Sequence, residues 1–239
     1  PDPLPTLNFP VPSKLCAGVS TLLVASGTPL GGTPRWSSKP AGAINPTSGA
    51  LNAPAGLYTI TFHYKSPAGC EDSLTRTLCV QDIPSANFNL DKTTGCFPLT
   101  VQPMNTSNTV DDCKEATYSW VAKFNIDECD PASMGQVSPT SSSLKDPAPF
   151  VFQKPGVYVI TLTVTNDCGT STKTAQVTVA GPPIFDLDPI SDQCKAIPEN
   201  IITPNIKVNS LKTCYSPLLP VGGLDWQFSG NANPASSNQ

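Results

Sequence analysis

The stretch GVYVITLTVTNDCGTSTKTAQVTV, residues 156–179, decides the fold. Val157, Val159, Thr161 and Thr163 alternate with Tyr158, Ile160, Leu162 and Val164. A period of two in β-branched and aromatic residues is the pattern of a strand with one buried face. Asn166-Asp167-Cys168-Gly169 supplies turn chemistry, and residues 172–179 alternate again, so the unit reads as a hairpin. One hundred positions earlier, Gly56-Leu57-Tyr58 opens a second copy, which turns at Ser66-Pro67-Ala68-Gly69-Cys70 and returns through residues 74–80. Two copies of Gly-x-Tyr, strand, cysteine-bearing turn and strand predict repeated β-domains.

Composition agrees with short strands joined by turns. Of 239 residues only 13% are charged and 7% aromatic, while 27 are proline and 16 glycine. Few windows of helical length escape both residues, so long helices have no place. The net charge of −4 argues against nucleic acid and anionic membranes as primary partners. No apolar run approaches the ~20 residues of a membrane helix, so no membrane insertion is expected in this segment. The chain has no initiator methionine and reads as a mature or excised segment of a longer protein.

Outward from the two hairpins, three units are expected: residues 1–82, 83–181 and 182–239. Strands are expected at residues 6–9 and 20–25 and around Trp36 in the first unit. In the second they are expected at 86–90, 99–104 and 118–122, followed by a polar insertion between Phe124 and Phe150. Gly181-Pro182-Pro183 is a short, stiff linker. The third unit offers strands at 184–187, 201–208 and 224–228 and ends without a Gly-x-Tyr hairpin. A tryptophan follows a cysteine by 20, 24 and 32 positions in the three units (Cys16 to Trp36, Cys96 to Trp120, Cys194 to Trp226). All three tryptophans are assigned to cores.

Nine cysteines without a C-x-x-C pair, and with His63 as the sole histidine, favour disulfides over zinc. The odd count leaves at least one cysteine free or paired outside the segment. Cys113 and Cys129 flank the Trp120 strand and are paired with each other.

A cysteine before the second strand, a tryptophan on the third, and a tyrosine opening a strand that leads to another cysteine resemble the immunoglobulin-like sandwich. That resemblance implies a core tryptophan and a tyrosine hydroxyl tied to nearby backbone. It also implies Cys16–Cys70 and Cys96–Cys168 as staples within each unit. A Cys16–Cys79 pair that frees Cys70 stays open, as do the partners of Cys79, Cys194 and Cys214. Pro155-Gly156-Val157-Tyr158 through Asn166, ending in Cys168-Gly169, resembles the closing hairpin of a PKD domain. Leu15-Cys16-Ala17-Gly18, Trp36 and Ala68-Gly69-Cys70 resemble Ig-like repeats of large Bacteroidetes surface proteins. The fold class is therefore all-β: tandem immunoglobulin-like and PKD-like β-sandwiches stapled by disulfides.

Such repeats occur in gliding-motility adhesins of the SprB type, exported by type IX secretion. The resemblance implies a secreted protein on the outer face of the bacterial outer membrane. The partners it implies are other repeats of the same long chain, surface polysaccharide or substratum, and the secretion and motility machinery. It also implies Asp72-Ser73-Leu74 as an O-glycosylation acceptor at Ser73.

Enzyme chemistry finds no support in the motifs. Gly-x-Ser-x-Gly, H-E-x-x-H and phosphate-cradling glycine loops are all missing, and His63 falls on outward positions of its strand. Asp111, Asp112, Asp127, Glu128 and Asp130 are candidate oxygen ligands for calcium, but without EF-hand spacing they read more simply as a solvated acidic loop. No cofactor is expected. The leading expectation is a non-catalytic stalk or adhesive segment. The alternative is a spacer or carbohydrate-binding accessory array of a secreted polysaccharide-degrading enzyme, which would expose planar aromatics for its ligand.

Overall fold

The computed structural model describes residues 2–108, 113–127, 130 and 132–181, together with the backbone of four short strands at Ile184–Leu187, Val208–Lys212, Asp225–Gln227 and Ser236–Asn238. Among the described residues there is no helix, and none is therefore long and apolar enough to cross a membrane.

The first sandwich is built on an antiparallel sheet of Thr33–Lys39, Gly56–Lys65 and Glu71–Val80, in that spatial order. The alternation of the central strand sorts its faces. Tyr58, Ile60, Phe62 and Tyr64 point into the core, while His63 is exposed. Facing this sheet are two strand pairs, Thr6–Asn8 with Ser26–Thr28 and Thr21–Leu22 with Ala50–Leu51. The expected strand over 20–25 is realised only at Thr21–Leu22; buried Leu23 follows it, and the next strand starts at Ser26. Trp36 packs edge-on to Phe9, with ring centroids 5.1 Å apart, and lies 4.8 Å from the Phe62 ring. Gly49 lets the chain pass over that indole. Its φ is +74°, and a Cβ there would sit 2.7 Å from Trp36 Nε1.

The second sandwich repeats the plan with a larger sheet. Its order is Ser141–Ser142, Thr117–Ile126, Gly156–Asn166, Gly169–Ala180 and Thr94–Cys96, the last pairing parallel. Opposite lie Leu99–Val101, Phe150–Phe152 and Val137–Ser138 in one sheet, with Phe88–Leu90 and Pro103–Asn105 as a pair. The expected strand over 99–104 breaks at Gln102, whose N–H turns to Asp91 Oδ1 at 2.7 Å. Tyr158, Ile160, Leu162 and Val164 are all fully buried, as the alternation requires. Each such side chain contributes roughly 1.5–3 kcal/mol of burial.

The polar insertion is part of the sandwich. Its residues supply strands to both sheets: Val137–Ser138 pairs with Phe150–Phe152, and Ser141–Ser142 pairs with Trp120 and Val121. Leu144 O accepts the hydrogen bond from Trp120 Nε1 at 3.0 Å, so the buried indole has its polar atom satisfied.

The tyrosine expectation holds in both units. Tyr58 Oη donates to Pro54 O at 3.0 Å, and Tyr158 Oη donates to Lys154 O at 2.8 Å, each four residues back. Tyr158 Oη also accepts from Gln136 N at 3.0 Å.

The disulfides differ from expectation. Cys16 bonds Cys168, and Cys79 bonds Cys113; Cys70 and Cys96 carry free thiols. The pairs Cys16–Cys70 and Cys96–Cys168 fail for one geometric reason, whereas Cys113–Cys129 and the alternative Cys16–Cys79 fail because Cys79 and Cys113 bond each other. Cys16 lies beside Gln81, at the far end of the ten-residue strand Glu71–Val80 that Cys70 precedes. Cys96 lies beside Ala180, at the far end of the twelve-residue strand Gly169–Ala180 that Cys168 precedes. Strands of that length span about 30–40 Å, whereas a disulfide needs Cα atoms within about 7 Å. Cys129 lies outside the described residues. Cys194 and Cys214 lie outside them too.

Candidate functional site

Two places concentrate chemistry. The first is the outer face of the Thr33–Lys39, Gly56–Lys65 and Glu71–Val80 sheet. Strand register lines up Arg35, His63 and Ser73 in one row, and Ser37, Thr61 and Thr75 in the next. An open groove of about 990 Å³ runs over the first row and Ser37, with Lys65 and Glu71 also in its lining. Ser37 Oγ lies 3.0 Å from His63 Nε2, and Lys65 Nζ lies 2.9 Å from Glu71 Oε1. The hydrogen bond and charge of Lys65 hold the Glu71 carboxyl below the usual carboxylate range. His63 is on the outward row, as its strand position predicts, and meets serine in solvent rather than in an enclosed cavity. An exposed hydrogen bond of this kind contributes at most about 1 kcal/mol. The groove is a polar contact surface. Ser73 stands exposed on this face, its N–H held by Asp72 Oδ1 at 2.7 Å.

Of the calcium candidates, the structure describes Asp127 and Asp130. Asp111, Asp112 and Glu128 lie outside the described residues. Asp127 is buried, and its Oδ1 accepts Asp130 N at 3.2 Å; Asp130 Oδ1 in turn accepts Ala132 N at 3.1 Å. Carboxylates committed to local N–H groups in this way organise a turn. Among the described residues no group of three or more His, Cys, Asp or Glu side chains is placed to hold a metal ion.

The second place is the junction between the sandwiches. Cys16–Cys168 and Cys79–Cys113 both cross it, with Cα atoms 5.5 Å and 5.7 Å apart. Between them lies Gln81, only 3% exposed. Its N–H donates to Leu15 O at 2.9 Å, its carbonyl accepts Ala17 N at 2.8 Å, and its Nε2 donates to Lys114 O at 3.1 Å. A buried amide satisfied from both sandwiches ties their backbones together. Asn166 Nδ2 donates to Asp82 O at 2.7 Å, and its Oδ1 accepts the N–H groups of Cys168 and Gly169 at 2.9 and 3.1 Å. One side chain thus shapes the turn that presents Cys168 and anchors it to the connecting segment. Ile83 packs on Gly169, where a Cβ would stand 3.2 Å from Ile83 Cγ2.

Sequence reasoning missed Gln81 and Asn166 as junction residues. The signal for Asn166 was available: an asparagine two positions before Cys168-Gly169 is positioned to accept their N–H groups. Nothing marked Gln81, because its role depends on a neighbour far away in sequence.

Residues 92–179 match the PKD domain family. No curated protein matches the chain. Among solved structures, it is similar to Sidekick-1 immunoglobulin domains 1-5 at 15% identity and a TM-score of 0.42, covering 76% of this chain and 40% of that one. It is similar to the I-band fragment I67-I69 from titin at 17% identity and TM-score 0.41, covering 77% of this chain and 69% of that one. The human Desmocollin-1 ectodomain matches at 14% identity and TM-score 0.37, covering 76% and 43%. The chain spans less than half the length of the Sidekick-1 structure. Its two Gly-x-Tyr hairpins, two tyrosine ties and two tryptophan-centred cores make the described residues a tandem of β-sandwiches, the second of which carries the PKD match.

Proposed function

We propose that this chain is a non-catalytic segment of a secreted bacterial cell-surface adhesin of the SprB type. Its sandwiches serve as a stalk or as adhesive modules in gliding motility. The observation that carries the reading is the junction: consecutive sandwiches are cross-linked to each other by two disulfides, which suits a part that transmits load. The PKD match over residues 92–179, a family of non-catalytic modules, supports the same reading. Partners would be further repeats of the parent chain, the surface polysaccharide or substratum, and the type IX export and motility machinery. Ser73, exposed beside Asp72, is the proposed O-glycan acceptor. Intact mass of native material should show hexose-sized additions there.

The polysaccharidase-accessory alternative is less favoured, because Trp36 and Trp120 are buried and present no stacking platform. The test is on intact cells. Antibody raised against the chain should label their surface, external protease should remove the signal, and deletion of the coding region should reduce gliding. Labelling only after lysis would overturn the reading. A hydrolase domain in the full-length product would favour the alternative.

A further inference from the structure

The connectivity of the junction fixes a path for tension that bypasses most of both cores. Cys16 lies near the start of the chain, Cys168 in the closing turn of the second sandwich, and the bond joins residues 152 apart in sequence. A pull applied to the two chain ends enters at Cys16 and crosses a Cα gap of 5.5 Å to Cys168. It then runs along Gly169–Ala180 to leave the second sandwich. That strand is twelve residues long and already extended. At about 3.3 Å per residue it stands within a few ångströms of the chain's limit of about 3.6 Å per residue.

We infer that the Cys16–Cys168 bond is a force shunt: it removes most of both sandwich cores from the load path and leaves a nearly inextensible route through the segment. Most of what holds the cores lies inside the closed loop. The Thr33–Lys39, Gly56–Lys65, Thr117–Ile126 and Gly156–Asn166 strands, with Trp36 and Trp120, are all enclosed. On the N-terminal side, residues 2–15 remain in line. Strand Thr6–Asn8 and the buried Phe9 and Leu15 restrain them, and they can lengthen by at most about 50 Å. Cys79–Cys113 is nested inside the larger loop and shortens it again, so loss of the first bond alone does not release the whole length.

The idea deepens the stalk reading, but its test does not depend on that role. The full chain is held by handles at its two ends in an optical trap and stretched. In the oxidised protein the sandwiches should yield no length beyond that of residues outside the Cys16–Cys168 loop. A dithiol added under tension reduces each bond to two cysteine thiols and is itself oxidised to a cyclic disulfide. The tether should then lengthen by about 500 Å more, the contour of the released loop. The Cys16→Ser/Cys168→Ser double variant should give about 400 Å without reductant, because Cys79–Cys113 still withholds its own loop. Between the unreduced native chain and the unreduced double variant the contribution of residues 182–239 cancels. Extension of the oxidised chain by several hundred ångströms, or a double variant that stretches like the native protein, would overturn the shunt. Absence from the cell surface would instead remove the adhesin reading and leave these lengths unchanged.

Discussion

The two sandwiches set their opening cysteines in the same place. Cys16 bridges parallel to Gln81 and Cys96 parallel to Ala180; the next residue donates its N–H to the same carbonyl, Ala17 to Gln81 at 2.8 Å and Phe97 to Ala180 at 3.2 Å. Their hairpin turns match as well, with Cys70 before Glu71 and Cys168 before Gly169. Yet Cys16 is bonded to the neighbouring sandwich and Cys96 is an exposed thiol. Equivalent backbone therefore does not decide the fate of the sulfur; the adjoining sandwich does. Cysteines at the ends of a sandwich face neighbours, while the interior relies on packing.

The largest effect should come from breaking that difference. Removing Cys16–Cys168 as the double serine variant opens a loop spanning 152 positions, which the chain-entropy account puts at about 5 kcal/mol. Denaturant unfolding followed by tryptophan fluorescence should show a lower midpoint and two separable transitions, one for each core. Next in size are the cores themselves. Trp120→Ala should cost about 4 kcal/mol, since it empties a fully buried site and leaves Leu144 O without its donor. Trp36→Ala should cost about 3 kcal/mol, because that indole is 6% exposed. Equal losses at the two sites would refute the view that the second core is the better sealed.

The tyrosines sharpen the same contrast. Tyr158 Oη serves both Lys154 O and Gln136 N, whereas Tyr58 Oη serves Pro54 O. Tyr158→Phe should cost about 2 kcal/mol and Tyr58→Phe about 1 kcal/mol. Burial, the largest influence, and the nearby Asp127 charge raise the Tyr158 phenol above its ordinary value of 10.0. The folded state then holds a proton that the unfolded chain releases. This stabilisation is complete below about pH 10 and is lost as pH climbs through the raised value. Alkaline unfolding of the second sandwich should weaken in Tyr158→Phe; an unchanged profile would assign the loss to other groups.

Much of this was legible in the sequence because it is local. The period of two through Tyr158, Ile160, Leu162 and Val164 names its own buried face, and Gly-x-Tyr announces a tie four residues back. The tryptophans declared their cores by size. The disulfides were misread because the cysteine pattern was compared with a template that staples each sandwich through its middle. The ten residues between Cys70 and Gln81 exclude that staple only once the structure has set Cys16 beside Gln81. The actual partners were not legible: bringing Cys168 to Cys16 depends on how one sandwich docks on the next, through Gln81, Asn166 and Ile83. The insertion after Phe124 hid its strands for a related reason. Val137–Ser138 and Ser141–Ser142 are two residues each, too short for periodicity to register.

The smallest expected effect separates Cys16 from Cys96 most directly. Cys96 ends an edge strand beside Ala180, where the chain leaves the second sandwich, and its thiol is exposed. No packing depends on it, so Cys96→Ser should change stability by less than about 0.5 kcal/mol. Its reactivity should nevertheless be high. Alkylation of the folded, unreduced chain with an uncharged thiol reagent, read by peptide mass mapping, should modify Cys96 first and the half-buried Cys70 more slowly. Peptides carrying Cys16, Cys79, Cys113 and Cys168 should remain unmodified until a reductant is added, and then label in linked pairs. Rapid alkylation of Cys16 before reduction would erase the difference between the two opening cysteines, and the crossed junction with it. Protection of Cys96 would have a different meaning: a partner sulfur supplied from outside the described residues.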